Sequence, residues 1–202
     1  MGERRLSSEE RRAQIVRISA QLFSKKGFKG TTTKEISKKV GISEAAIFHY
    51  FPTKNDLYTA IIKDRVGEED DLFLPVEAMR QSDDVKVFGD LADYLLEKNE
   101  GDPTFMRLLL FSILEEHKLS DIFFQTHIRK KVQFLSEYIE QRIADGAFRE
   151  VSPFLVARGF LGMIVQYMMG QEVFWKTKEF RSSRKEVVET FVKTFLQGIK
   201  KE

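Results

Sequence analysis

Ala45 and Ala46 stand between Ser43-Glu44 and His49, in a segment that reads TTTKEISKKVGISEAAIFHYFPTK over residues 31–54. Small residues at the start of a helix let its backbone come close to another surface. With a hydroxyl, a carboxylate and an imidazole beside them, they form a set that can meet the edges of base pairs in a DNA major groove.

The elements that position this set are legible around it. Thr32 and Glu35 have capping-box spacing: a hydroxyl takes a free amide of the first turn and a carboxylate reaches back. Ile36 and Val40 give that helix an apolar face, and Gly41 supplies the left-handed residue that ends it. Ser43 is an N-cap for the next helix, Glu44 to Phe51, which Pro52 helps to end. On that helix Ser43, Glu44, Ala45, Ala46 and His49 fall on the exposed face, while Ile47, Phe48 and Phe51 point inward. The pair is a helix-turn-helix.

Nearly all of the remaining sequence has helical period. A first helix is expected from about Glu9 to Lys26, with a capping box at Ser7 and Glu10, a stripe of Ile15, Ile18, Leu22 and Phe23, and Gly27 as its end. Thr53 caps a fourth helix with Leu57, Ile61 and Val66 inward, followed by an acidic stretch at 67–71. Phe88, Leu91, Leu95 and Leu96 mark a fifth helix. Residues 105–114, apolar nearly all round, suit a helix surrounded by others. Phe124, Ile128, Leu135, Ile139 and Ile143 mark one helix over 120–145, closed by Gly146. Helices over 153–174 and 183–199 complete the chain, the last with Val188, Val192, Phe195 and Ile199 on one stripe. Asp102-Pro103 and Ser152-Pro153 each place a capping residue before a Pro at the first helical position. The expected fold is all-α, about nine helices: a helix-turn-helix domain over 1–55 and a larger helical domain over 56–202.

Composition narrows the function classes. The chain has no cysteine, so neither a disulfide framework nor a thiolate metal site is available, and a reducing, cytoplasmic setting is expected. The longest uncharged run, Gly159 to Gln171, is too short for a membrane span of about 20 apolar residues, and MGERRLSSEE has no apolar signal region. The net charge of +2 hides an asymmetry, because residues 1–55 carry a +7 excess and the remainder −5. A basic head suits a polyanion. No histidine has a Glu three residues before it, and HExxH, G-x-x-x-x-G-K-[ST] and G-x-G-x-x-G are absent. The Glu115-Glu116-His117 cluster reads as a solvated cap on an apolar helix. A helical enzyme is therefore a remote alternative, with no catalytic or metal residues to name.

The capped first helix, the Gly41-Ile42-Ser43 turn, Ala45-Ala46, Ile47-Phe48, Tyr50-Phe51 and Lys54 occur in an order that resembles the TetR family of bacterial transcriptional regulators. The resemblance is specific over roughly residues 10–60, and beyond them it rests on helix content and length. It implies a homodimer that places one recognition helix per protomer in the major groove of a near-palindromic operator. It also implies that Thr32, Thr33 and Lys34 sit beside phosphates at a helix start, and that Tyr50 and Lys54 hold the DNA backbone. Glu44 departs from the family, which often has a neutral or basic residue there. It either accepts from cytosine N4 or folds back onto Lys38 or Lys39.

By the same resemblance the body holds a small-molecule effector and a dimer interface formed by the helices near 153–174 and 183–199. The sequence supports the interface with Gly159, Gly162 and Gly170 for close approach and Leu161, Ile164 and Met168 for an apolar face. A pocket for a largely apolar effector would draw on Leu91, Leu95, Met106, Leu109, Phe123, Phe124, His127, Met163 and Tyr167, which serve equally well as core. No cofactor is expected. The expected function is a ligand-released repressor that binds double-stranded DNA. The alternative is a ligand-independent repressor or an architectural DNA-binding protein.

Overall fold

Ser7 opens the first helix as its spacing requires. Its hydroxyl accepts from the Glu10 amide (3.1 Å) and its own amide donates to the Glu10 carboxylate (2.7 Å), a complete capping box. The computed structural model describes residues 6–66, 73–174 and 182–201, and among them the fold is helical, with one isolated bridge between Phe148 and Lys200. The acidic stretch at 67–71 lies outside the described residues. No helix among them is long and apolar enough to cross a membrane.

The helices are α1 (Ser8–Lys26), α2 (Thr33–Val40), α3 (Glu44–Tyr50), α4 (Lys54–Val66), α5 (Val76–Arg80), α6 (Asp84–Asn99), α7 (Thr104–Leu114), α8 (Lys118–Phe123), α9 (Arg129–Ala144), α10 (Pro153–Met169) and α11 (Arg184–Ile199). Two of these exceed the nine expected. Short α5 has no apolar period to announce it. The helix expected over 120–145 is split into α8 and α9 by a π-helical turn, Phe124–Ile128. A second π-helical turn, Gly170–Phe174, ends α10.

The chain forms two compact units: Met1–Asp71 with Thr104–Phe123, and Leu72–Pro103 with Phe124–Glu202. Division by packing thus differs from a cut after residue 55, because α4, α7 and α8 pack with the helix-turn-helix. The reason is visible in the core of the first unit. α1 packs against α7, α4 and α2. Ile15, Phe23, Leu57, Tyr58 and Leu108 are all fully buried there. On α1 the buried face is Ile15, Val16, Ser19 and Phe23, while Ile18 and Leu22 lie half-buried at its edge. α7 is not apolar-contacted all round, since Ile113 and Leu114 are exposed.

In the second unit α9 packs on α10, α11 on α6, and α10 on α6. Phe88, Phe160 and Phe195 meet at its centre with ring centroids 4.8–4.9 Å apart. Each such pair contributes about 0.5–1.5 kcal/mol beyond its buried area. Leu161, Ile164 and Met168 belong to this core, which corrects their assignment to a subunit interface. α10 also has an outer face that this core leaves uncovered. That outer face is Phe154, Leu155, Arg158, Gly159 and Gly162, with Phe154 and Leu155 exposed. A Cβ added at Gly159 or Gly162 would meet nothing within 4 Å. The outer face of α11 is polar: Glu186, Glu189, Thr190, Lys193, Thr194 and Gln197. Pro153 begins α10 as expected, but the Ser152 side chain makes no cap hydrogen bond.

One buried polar cluster braces this unit. Asp84 accepts from the Tyr138 hydroxyl (2.6 Å) and from Arg142 Nε (2.8 Å), with Lys200 Nζ at 3.9 Å. Burial first, and then the hydrogen bond to Asp84, raise the Tyr138 phenol well above its ordinary range. Removing one partner of a buried pair costs about 3–5 kcal/mol, since the other is left uncompensated. Asp84→Ala is expected to lower unfolding stability by that amount, and Tyr138→Phe by only about 1 kcal/mol. Urea denaturation of both variants checks the ranking.

Candidate nucleic-acid interface

The N-termini of α2 and α3 are built by their caps. Thr32 Oγ1 accepts from the Glu35 amide (3.1 Å) and Ser43 Oγ from the Ala46 amide (3.1 Å). The box at Thr32 is half formed, because the Glu35 carboxylate pairs with Lys26 Nζ of α1 instead of turning back. Gly41 takes the left-handed conformation (φ 81°, ψ 34°), and its amide and that of Ile42 both close onto Ser37 O. This is the tight turn that sets α3 against α2. Thr53 and Asp56 form a reciprocal cap on α4: Asp56 N donates to Thr53 Oγ1 (3.1 Å) and Thr53 N to Asp56 Oδ2 (3.0 Å).

Ile47 and Phe51 anchor α3 in the core, and Arg12 lies 4.9 Å over the Phe51 ring. Ser43, Ala45 and His49 are exposed, Glu44, Ala46 and Tyr50 half-buried, and the Tyr50 ring meets His49 edge-on at 5.4 Å. Phe48 does not point inward. It is 41% exposed. A seven-residue helix has one narrow inward stripe, and Ile47 with Phe51, one turn apart, fill it. Phe48 therefore joins the outer face with His49.

Among the described residues Glu44 does not fold back onto Lys38 or Lys39. Its carboxylate accepts from the Thr33 hydroxyl, which ties the first turn of α3 to that of α2. Thr33 is thus half-buried and engaged, while Thr32 and Lys34 stay exposed at the start of α2. Lys38 and Lys39 are exposed on the last turn of α2.

Lys54 is also turned inward. Its ammonium donates to Phe28 O (2.8 Å) and Thr31 O (3.0 Å) and lies 4.2 Å over the Phe28 ring. Burial lowers its pKa from the ordinary 10.5, with Glu115 opposing. Glu115 completes the bracket: its carboxylate accepts from Phe28 N (2.8 Å) and Lys29 N (3.1 Å). The Phe28 ring lies 4.6 Å from His117 and 5.3 Å from Tyr58. Glu115 and His117 are therefore not a solvated cap on α7. They grip the loop that leads into α2. Burial lowers the His117 pKa, with Glu115 opposing and Lys54 reinforcing, and burial, then Glu115, pushes the Tyr58 phenol up to about 12. Arg107 Nε adds a bond to Ser24 O (2.8 Å) at the end of α1.

The residues offered for an effector pocket are divided by the packing. Met106, Leu109 and Phe123 belong to the first unit, and Leu91, Leu95, Phe124, His127, Met163 and Tyr167 to the second. Leu91 is fully buried core, Leu95 and Met163 pack against that core, and Phe124 is exposed. Tyr167 borders a small cavity of about 70 Å³ with Leu96, Asn99, Met168 and Arg184. That is below the roughly 300–1,000 Å³ of typical small-molecule sites.

Gly27 shows how close the bracket is. It holds φ 73°, and a Cβ there would meet Glu115 Oε1 at 2.4 Å and Phe111 at 2.9 Å. Gly27→Ala is expected to cost about 1–3 kcal/mol through backbone strain and displacement of the carboxylate. Glu115→Ala, which leaves two amides to find water, is expected to cost about 1 kcal/mol. Combining them should cost less than the sum, since both act on one carboxylate, and denaturation of the double variant reads that coupling.

Comparison with known proteins gives this geometry its context. Residues 15–61 match the model of bacterial regulatory proteins, tetR family, and residues 94–198 match that of the AefR-like transcriptional repressor C-terminal domain. The nucleoid occlusion factor SlmA of Pectobacterium carotovorum subsp. carotovorum is 28% identical over 193 residues, covering 89% of this chain and 94% of the relative. The uncharacterised HTH-type transcriptional regulator YfiR of Bacillus subtilis is 25% identical over 207 residues, covering 96% and 95%. Among solved structures, the ketosteroid transcriptional regulator KstR2 of Mycobacterium tuberculosis superposes with a TM-score of 0.71 at 18% identity, covering 97% of this chain and 98% of that one. AibR, solved with isovaleryl coenzyme A and operator DNA, gives 0.61 at 22% identity, covering 92% and 97%. With both models matched, the second over half of the sequence, and an exposed, doubly capped helix pair at residues 32–51, the chain belongs to the TetR family of bacterial transcriptional regulators.

Proposed function

We propose that this regulator is a homodimeric repressor that sets α3 of each protomer in the major groove of a near-palindromic operator and is released by a small, largely apolar effector. The outer face of α3 carries the reading: Ala45 and Ala46 allow close approach, and His49 and Phe48 stand exposed beside them. His49 has donor and acceptor nitrogens for base edges, and the Phe48 ring suits the thymine methyl group. Thr32 and Lys34 at the start of α2 hold phosphates, where free amides and the helix dipole favour an anion. Glu44 is held at the first turn of α3 by the Thr33 hydroxyl. The second copy docks on the outer face of α10, where Phe154 and Leu155 are exposed and Gly159 and Gly162 leave room for a neighbouring helix. α11 contributes a polar flank.

A ligand-independent DNA-binding role is favoured by the nucleoid occlusion factors among the relatives. The effector reading is favoured by a regulator of the same fold seen with both an acyl thioester and operator DNA. Release of DNA by a small molecule separates the two.

Selection of duplexes from a random library is expected to enrich a two-fold symmetric site with half-sites about one helical turn apart. Lys34→Ala should weaken binding to all sequences alike and reduce the salt slope by about 0.9. His49→Ala should relax preference at one position of each half-site by about 1–3 kcal/mol. Enrichment of no symmetric site by protein refolded free of ligand would overturn the proposal.

A further inference from the structure

A helix laid in a DNA major groove about 12 Å wide has a phosphate backbone on each flank. α3 has seven residues and is about 10 Å long, so both backbones come within side-chain reach of its surroundings. Contacts to both fix the register and orientation of the helix. The start of α2 serves one flank, through Thr32 and Lys34. The other flank falls to whatever cation stands at the C-terminal end of α3.

Lys54 and Arg12 stand there. Lys54 follows Phe51 by three residues, but its ammonium is directed to Phe28 O and Thr31 O. Arg12 comes from α1, and its guanidinium lies 4.9 Å over the ring of Phe51, the C-cap of α3. Arg12 is fixed in place. Phe51 is buried, and α1 starts from a complete capping box and packs against α2 and α4. Arg12 is also uncommitted. It is exposed, and among the described residues it donates no hydrogen bond and meets no carboxylate. Its neighbour Arg11 donates to Gln14 Oε1 (2.7 Å), and Lys26 of the same helix is paired with Glu35. A ring face holds a cation without using a donor, so the N–H groups of Arg12 remain available. A planar guanidinium matches a phosphate with two parallel bonds, and one already stacked gives up less freedom on binding.

We infer that Arg12 is a phosphate contact of the operator complex: set by the Phe51 ring, it clamps the backbone on the flank of α3 opposite that held by Thr32 and Lys34. This rests on the DNA-binding reading above and adds a third helix, α1, to its interface. Arg12 is a positioning residue. Phosphates carry no base identity, so it sets how α3 sits in the groove while other side chains read the bases.

The test uses the full chain and the duplex enriched by the selection described above. Affinity is measured by fluorescence anisotropy between about 50 and 200 mM salt for wild type, Arg12→Gln, Arg12→Lys and Lys34→Ala. Arg12→Gln keeps a planar group near Phe51 and removes the charge. Its salt slope is expected to fall by about 0.9 per protomer, so its deficit against wild type is about 3.5-fold larger per protomer at the low-salt end than at the high. Single-base variants of the duplex should weaken alike. Arg12→Lys should restore the slope but not the full affinity, because a point charge lacks the two-bond match. The melting temperature of Arg12→Gln should fall by no more than about 3 °C, since an exposed cation–ring contact is weak. Ethylation interference locates the contact: one phosphate per half-site that matters to wild type becomes indifferent in Arg12→Gln. That phosphate lies across the major groove from the one lost in Lys34→Ala. An unchanged slope in Arg12→Gln, a slope that Arg12→Lys leaves unrestored, or loss of the same phosphate in Arg12→Gln and Lys34→Ala would each overturn the inference. An effect confined to melting temperature or to base preference would do the same, and would make Arg12 a brace for Phe51 alone. A protein that selects a symmetric operator yet gives any of these results keeps the proposed function and loses this contact. One that selects no operator loses both.

Discussion

Two side chains from distant parts of the sequence hold the loop 27–31 by its backbone. Glu115 takes the amides of Phe28 and Lys29, and Lys54 supplies hydrogens to the carbonyls of Phe28 and Thr31. The next residue is Thr32, the cap of α2. Everything that faces outward from the helix-turn-helix therefore inherits its position from this bracket. If the loop shifts, the α2 N-terminus shifts with it, and α3 follows through the Gly41 turn and the Thr33–Glu44 bond. The bracket needs no large area to act. Both charges meet backbone groups just past the end of a helix, where an unmade bond is more costly than a made one is favourable.

The sequence was legible wherever the determining contact is local. The caps at Ser7, Thr32, Ser43 and Thr53 each join residues three apart, and all four form. Gly27 and Gly41 end their helices as read, and the stripe of α6 is the core of its unit. What stayed hidden depends on long-range choices. Glu115 reaches its amides across 86 and 87 residues, so its charge and its place at the end of an apolar helix suggested solvent. Lys54 and Glu44 were read by position within a motif, yet each is claimed by a neighbour that the motif does not specify. Leu161, Ile164 and Met168 form a real apolar stripe. Periodicity says that such a stripe is covered, not whether its own protomer or a second copy covers it. Phe48 failed for a geometric reason, since one turn of α3 can bury Ile47 and Phe51 but not a third large side chain. Lys131 sits in a charged run, Arg129-Lys130-Lys131, that looks like a solvated face, and only the helix phase puts its last member inside.

The order of the chain gives these observations a common logic. α7 and α8 belong to the unit that carries the helix-turn-helix, and both ends of that segment continue into the other unit. At one end Pro103 follows α6. At the other, Phe123 runs directly into the π-helical turn and then α9. The covalent path from α9 to Glu115 is thus short: one irregular turn, α8, and the turn 115–117 that joins it to α7. π-Helical turns of this kind are rare insertions within helices and are frequent at functional sites. Glu115 therefore grips the loop before α2 from a segment whose sequence neighbours on both sides belong to the other unit.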